Sequence, residues 1–205
     1  MVMILWILVA YGCYRIGWEL QMLDPDPTLQ TAVEQRGYRW QHCGSLLYLV
    51  VFWMLQGQPP EPEMLLQAFG ISALLLAAWI DHYVQSIPDM IYVPGFVSGT
   101  AWLILQQPPA EVTNSLLIFV GLQAVIFRRL YGGSDCIAYC LCALYLAGTG
   151  GGLLEDLLFM LLTVGIEAVV QIVHHNLDFR HGRLIRPVAL IPYMAVSMLL
   201  WILLT

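Results

Sequence analysis

The sequence contains no lysine and very little charge of any kind. Charged residues make up 11% of the 205 residues, hydrophobic residues make up 60%, and the mean hydropathy is +0.74. An ordinary soluble domain has about 25% charged residues, so this composition excludes that class. No basic patch of the kind that binds nucleic acid is present. We therefore expect an integral membrane protein with membrane lipid around it and no nucleic-acid partner.

The sequence also lacks the cysteine patterns of metal sites. Its five cysteines include no CxxC pair and no His–Cys spacing typical of zinc. We expect no metal and no other cofactor, and we interpret Cys136, Cys140 and Cys142 as small apolar packing residues. The start MVMILWILVAYGC has no basic segment ahead of its apolar run. It is interpreted as a retained first helix rather than a cleaved signal peptide.

Apolar runs separated by proline, glycine and charge predict an all-α bundle of about eight transmembrane helices. Two runs are short for a hydrocarbon core about 30 Å thick, so six spans with re-entrant pieces remain an alternative. The chain is expected to be one domain, 1–205, with two leading helices and a short cytoplasmic loop in 1–63 and a motif-bearing core in 64–205. The predicted helices are about 1–20, 41–56, 64–81, 90–106, 112–128, 135–148, 153–175 and 188–204.

The arginines indicate which loops face the cytoplasm. All eight basic residues are arginines in or beside the first, fifth and seventh connections, and the second, fourth and sixth connections have none. The positive-inside rule then places the N-terminus outside and the odd connections in the cytoplasm. The third connection, 82–89, is cytoplasmic by parity, so Asp81 and Asp135 are expected at the same face. Aromatic residues near helix ends, such as Tyr92 and Trp102, are interpreted as interfacial anchors.

Among the acids in or at the ends of predicted helices, three stand near other polar or glycine-rich features: Asp81, Asp135 and Glu167. Such a group needs a partner or a water-filled cavity, which makes it a candidate for function. Asp81 ends an apolar run, where the helix dipole favours a protonated carboxyl, and Asp135 begins a helix, where free N–H groups favour a carboxylate. We expect Asp81 to be the acid and Asp135 the base of a pair. Glu167 is interpreted as a structural group, with Gln171 as its expected partner.

Simpler interpretations of these acids also exist. Asp81 alone is typical of a solvated helix end, and glycines followed by Ser134 and Asp135 are typical of a capped helix start. Gly132 and Gly133 also remove side chains at a place where a substrate backbone would approach Asp135. Neither Asp81 nor Asp135 by itself indicates an active site.

Three segments in a fixed order carry a resemblance to a known family. They are AAWIDHYVQSIPDMIYVPG at 77–95, YGGSDCIAYCLCAL at 131–144 and RPVALIPYMAVSMLL at 186–200. In order and spacing across 72–200 the chain resembles the type IV prepilin peptidases, which are membrane aspartic endopeptidases. The resemblance implies cleavage of the basic leader from a single-span prepilin or pseudopilin, at the cytoplasmic face of the bacterial cytoplasmic membrane. It also implies that Asp81 and Asp135 are the catalytic pair.

The chain departs from the family pattern in three places. In the pattern Gly-x-Gly-Asp-x-Lys, Ser134 replaces a glycine and Ile137 replaces the lysine, although neither change removes a carboxylate. Asp89 follows Pro88 where the family has Asn as well as Asp, so these two residues are given a turn-forming role. The first connection has no CxxC pair, so methyltransferase activity is not expected. A non-catalytic scaffold for pilus or secretion-system assembly is the alternative, and the presence of both aspartates argues against it.

Overall fold

The computed structural model describes residues 62–84, 87, 89–174, 177–178, 183–184 and 188–204, together with isolated positions between 4 and 23. The predicted helix at 41–56, most of the one at 1–20, and Pro88 lie outside the described residues. The site and its surroundings are built from the part of the chain that follows residue 61.

Six α-helices make up this part of the chain. Short 3-10 turns lie at Asp89–Ile91 and Phe127–Arg129. A pair of two-residue antiparallel strands, β1 (Leu177–Asp178) and β2 (Arg183–Leu184), lies between the last two helices. The helices are α1 (Pro62–Val84), α2 (Tyr92–Gln106), α3 (Ala110–Val125), α4 (Gly133–Gly148), α5 (Leu153–Val173) and α6 (Ile191–Leu204).

The predicted all-α class and the six predicted helices of this part of the chain are confirmed, with ends that differ by at most three residues. Three ends differ by three residues: the predicted end at 81 lies at Val84, the predicted end at 128 lies at Val125, and the predicted start at 188 lies at Ile191. α1 continues past Asp81 because the sequence contains no proline or glycine between Asp81 and Pro88. Pro192 lies in the first turn of α6, where its missing N–H removes no helical hydrogen bond.

Three described helices are long and apolar enough to cross a membrane, in the segments Leu65–His82, Ala110–Arg129 and Leu153–Val173. Gly133–Gly148 and Ile191–Ile202 are shorter apolar helices. Large apolar side chains on the outer faces of α3 and α5 are exposed, among them Leu117, Leu161 and Val173. This arrangement is that of a helical membrane bundle whose outer surface suits lipid.

α4 is the central helix, since it contacts α1, α2, α3, α5 and α6. Its side chains from Leu141 to Ala147 are all buried. Near its end, Tyr145 Oη lies 2.7 Å from Ser98 Oγ and 3.0 Å from the Leu66 carbonyl oxygen. A Cβ at Gly70 would overlap the Tyr145 ring, so this close approach of α1 to α4 requires a glycine. The opposite end of α4 carries Asp135.

The interpretation of Tyr92 and Trp102 as interfacial anchors is wrong. Tyr92 is 1% exposed and Trp102 is 7% exposed. Both lie on α2, which packs against α1 and α4, so their rings fill space inside the bundle. The Trp102 ring occupies the space beside Gly148 at the end of α4.

Candidate active site

Asp81 is buried in the last turns of α1 and bonds to another helix. It is 8% exposed, and its Oδ2 accepts a hydrogen bond from the backbone N–H of Ile191 at 3.2 Å. Ile191 is the first residue of α6, where backbone N–H groups have no partner inside their own helix. The interpretation of Asp81 as a solvated helix end is wrong, because its carboxylate caps the start of α6.

Asp135 is half-buried in the first turn of α4. The helix begins after Gly132, and the Oδ2 atom of Asp135 accepts the backbone N–H of Gly132 at 3.2 Å. The capping role predicted for this segment is therefore present. It does not exclude chemistry, since a carboxylate can accept several hydrogen bonds and Asp135 accepts one from the described residues.

The fold brings Asp81 and Asp135 to the same end of the bundle. The two carboxylates lie close enough for their charges to repel each other. Tyr92 of α2 lies near both acids, and its Oη donates a hydrogen bond to the Ser134 carbonyl oxygen at 3.3 Å. Two acids from separate helices therefore share one site in a bundle with few charges.

The environments of the two acids are more alike than the sequence predicted. The expected difference considered only the C-terminal end of α1 for Asp81, whereas the start of α6 also lies against this carboxylate. Asp81 and Asp135 each accept a backbone N–H at a helix start, and such a bond favours the ionised form. The assignment of Asp81 as the acid and Asp135 as the base stays a prediction.

Gly132 and Gly133 leave an open surface beside Asp135. Both are exposed, and the φ of Gly132 is −62°, which any residue can adopt. A Cβ on Gly132 would come no closer than 3.4 Å to another group, and one on Gly133 no closer than 4.0 Å. Neither backbone conformation nor packing requires glycine here. The effect of the pair is free access to the start of α4, as the sequence predicted.

Glu167 on α5 is a third acid near this site. It is half-buried and lies within electrostatic reach of Asp135 and of Tyr193 on α6. Gln171, the partner expected for Glu167, donates its Nε2 hydrogen to Tyr193 Oη at 3.0 Å. The sequence did not identify Tyr193 as a hydrogen-bond partner of Gln171. The available signals were that Tyr193 lies in the third quoted segment and that Gln171 lies one helical turn from Glu167.

An aromatic cluster borders the site on the α3 side. The Tyr131 ring stacks on Phe127 at a centroid distance of 5.8 Å and lies 5.7 Å from the ring of Tyr139. Burial raises the pKa of Tyr131 far above neutral pH, so its hydroxyl remains a hydrogen-bond donor. That hydroxyl donates to Gln123 Oε1 at 3.4 Å.

Three of the predicted motif residues line one cleft beside the start of α4. Asp89 is exposed at the start of the 3-10 turn before α2, and together with Gly133 and Ser134 it lines a cleft between α2, α3 and α4.

The cysteines of α4 are free thiols, of which Cys136 and Cys142 are buried, as expected for packing residues. Within the described ranges, no group of three or more His, Cys, Asp or Glu side chains forms a metal site.

Comparison of the chain with protein-family profiles, curated proteins and solved structures finds no match. The resemblance to the prepilin peptidases therefore rests on the three quoted segments alone. Any function must be argued from those residues and from the geometry of the site.

Proposed function

We propose that this protein is a membrane aspartic endopeptidase that removes the basic leader from a prepilin or pseudopilin. The observation that supports this most is the convergence of Asp81 and Asp135, from separate helices, on one end of an apolar bundle. Bringing two like charges together in such surroundings costs free energy, and perturbed acids of this kind are typical of functional sites. The order of the three motif segments agrees with the same activity.

In the proposed mechanism the two carboxyl groups share one proton and bind a water molecule. The charged carboxylate accepts a proton from the water as the water oxygen attacks the peptide carbonyl carbon. The neutral carboxyl donates its proton to the carbonyl oxygen, which gives a neutral tetrahedral intermediate. The C–N bond then breaks, and a proton passes to the leaving amine. Neither metal nor nucleotide takes part, and methylation of the new N-terminus is not part of the activity.

The proposed topology has about eight spans with the N-terminus outside, in the bacterial cytoplasmic membrane. It rests on the arginines, among which Arg128 and Arg129 precede the end of α4 that carries Asp135. The acid pair would then lie at the cytoplasmic edge of the membrane. That is where the junction between a basic leader and a membrane helix must lie, so the substrate would meet the pair in position for reaction.

Purified protein in detergent, incubated with a synthetic single-span prepilin, tests this function. We expect one cut between the leader and the apolar helix, and loss of that cut in both Asp81→Ala and Asp135→Ala. Glu111→Ala serves as a control, because Glu111 is an exposed acid at the start of α3. Far-UV circular dichroism and gel filtration check that each variant is folded.

Two results would argue against the proposal. Cleavage that survives in either aspartate variant excludes the shared-proton mechanism. No cleavage by the wild-type protein, combined with stable association with pilus or secretion components, favours the non-catalytic scaffold.

A further inference from the structure

A cleft of about 630 Å³ opens beside the start of α4, between α2 and α3. Ligand pockets in proteins have volumes of roughly 300–1,000 Å³. Its walls are largely apolar and include Phe96, Val120, Ala124 and Ile137. One turn of an α-helix about 10 Å wide occupies roughly 420 Å³, so the cleft accommodates about one and a half turns. Its size and lining suit part of an apolar helix.

The cleft extends to the start of α4, although neither Asp81 nor Asp135 is among its lining residues. Gly133 and Ser134 line it, and the next residue along α4 is Asp135. Because Gly133 has no side chain and is exposed, a chain lying in the cleft can pass close to the backbone there. A segment held in the cleft therefore lies beside the start of α4, one residue from Asp135.

The rim of the cleft carries one acid and one base. Asp89 and Arg128 both line it, and both are exposed. They form no ion pair with each other, and among the described residues the Asp89 carboxylate takes part in no hydrogen bond. The turn-forming role predicted for Asp89 therefore does not use its carboxylate within this part of the chain. A ligand that complements this lining has an apolar body, and a cation on it is favoured beside Asp89 and disfavoured beside Arg128.

We propose that this cleft binds the substrate at the junction between its basic leader and its membrane helix, with Asp89 facing a leader cation. The inference rests on the proposed function, which supplies a substrate of this chemistry. Asp89 is then a specificity-determining residue and Asp81 and Asp135 are the catalytic ones. Arg128 repels the leader cations and so fixes the direction in which the substrate lies.

A disulfide cross-link tests where the substrate lies. Cys140 lines the cleft and is half-buried, whereas Cys142, two residues further along α4, is 1% exposed and lies outside the cleft. Cys136 also lines the cleft, so the test uses Asp135→Asn protein in which Cys13, Cys43 and Cys136 are changed to serine. It is mixed with a mild oxidant and a prepilin that has one cysteine in the first turn of its apolar helix. A disulfide needs Cα atoms about 4.4–6.8 Å apart, so it forms only when the substrate helix enters the cleft.

We expect a cross-link that disappears in Cys140→Ser and persists in Cys142→Ser. A reversed pattern, or no cross-link to a prepilin that the wild-type protein cleaves, would overturn the cleft as the binding site while leaving the proposed function intact. A cross-link through Cys140 without any cleavage by the wild-type protein would support the cleft and contradict the proposed function.

A charge exchange tests the role of Asp89. Asp89→Asn is expected to raise KM about two- to fivefold with little change in kcat, which is the range for a solvent-exposed ion pair. Asp89→Arg should raise KM further, and a leader in which one lysine is changed to glutamate should restore it. Glu111→Gln is the matched control. If Asp89→Arg has the same KM for both leaders, Asp89 does not recognise the leader.

Discussion

Two helices of this bundle begin in the same way. α4 starts after Gly132 and α5 after Gly152, and in each case the acid three positions later accepts the backbone N–H of that glycine. The distances are 3.2 Å for Asp135 and 2.9 Å for Glu155. Both acids satisfy a donor that a helix start leaves without an intrahelical partner. As local structure, the two helix starts are nearly equivalent.

The difference lies in what other helices present to each acid. Asp135 meets Asp81 from α1, whose carboxylate is held by the start of α6. Glu155 lines a cavity of about 500 Å³ together with Tyr145 and Thr149, and no acid from another helix is part of that lining. A helix start becomes a candidate active site only through its tertiary neighbours. The two acids therefore offer a matched pair for experiments.

The largest expected effect separates the two acids by activity. Asp135→Asn keeps an oxygen that can accept the Gly132 N–H but removes the charge, so we expect prepilin cleavage to fall by at least about a hundredfold. Glu155→Gln makes the same chemical change at the other helix start and should leave the rate unchanged. Initial cleavage rates under saturating substrate provide the measurement.

Comparable losses in Asp135→Asn and Glu155→Gln would mean that loss of a negative charge at a helix start, and not proton transfer by the acid pair, explains the effect of Asp135. Unfolding curves of both proteins, followed by circular dichroism, show whether either variant has lost its structure.

The sequence predicted the features that depend on neighbouring residues. Apolar runs and helix breakers placed the ends of α1 and α6 within three residues, and the arginine pattern predicted that Asp81 and Asp135 share a face. The hydrogen bond from Ile191 to Asp81 links residues 110 positions apart. No local pattern contains it, because it depends on how α1 packs against α6.

Packing between distant helices also explains why the interpretation of Tyr92 as an interfacial anchor is wrong. An aromatic residue at a helix end is typical of the membrane interface, and only the packing of α2 between α1 and α4 turns its ring inward. Its hydroxyl then bonds to Ser134, which belongs to the start of α4. The error and the missed bond to Asp81 both concern contacts between helices that are distant in the sequence.

A second prediction tests the open surface at the start of α4. Gly133→Leu places a side chain where the substrate backbone is expected to pass, so we expect kcat/KM to fall roughly tenfold through misplacement of the substrate. Gly121→Leu is the control, because a Cβ on Gly121 in α3 also meets nothing within 4 Å and lies far from the helix starts in sequence. An equal effect of both substitutions would show that added bulk, and not the position of Gly133, is responsible.

A third prediction concerns the residue next to Glu155. Asp156 is 1% exposed, and neither of its carboxylate oxygens has a hydrogen-bond partner among the described residues. Burying such a group without a partner costs about 1–3 kcal/mol, so Asp156→Val should raise the free energy of unfolding by about 1–2 kcal/mol. Chemical unfolding in mixed micelles measures this change. A less stable variant would show that Asp156 makes a contact that stabilises the fold.

The smallest expected effect compares the stability of the two helix starts. Glu155→Ala removes a capping acceptor and should lower the free energy of unfolding by about 1 kcal/mol. Asp135→Ala removes an equivalent acceptor but also removes the repulsion between Asp135 and Asp81, so its net loss of stability should be smaller. Asp81→Ala combined with each variant separates the two contributions, because only the Asp135 pair should be non-additive. If Glu155→Ala and Asp135→Ala lower the free energy of unfolding equally and both combinations with Asp81→Ala are additive, the Asp81 and Asp135 carboxylates do not interact. The shared proton on which the proposed chemistry depends then has no basis.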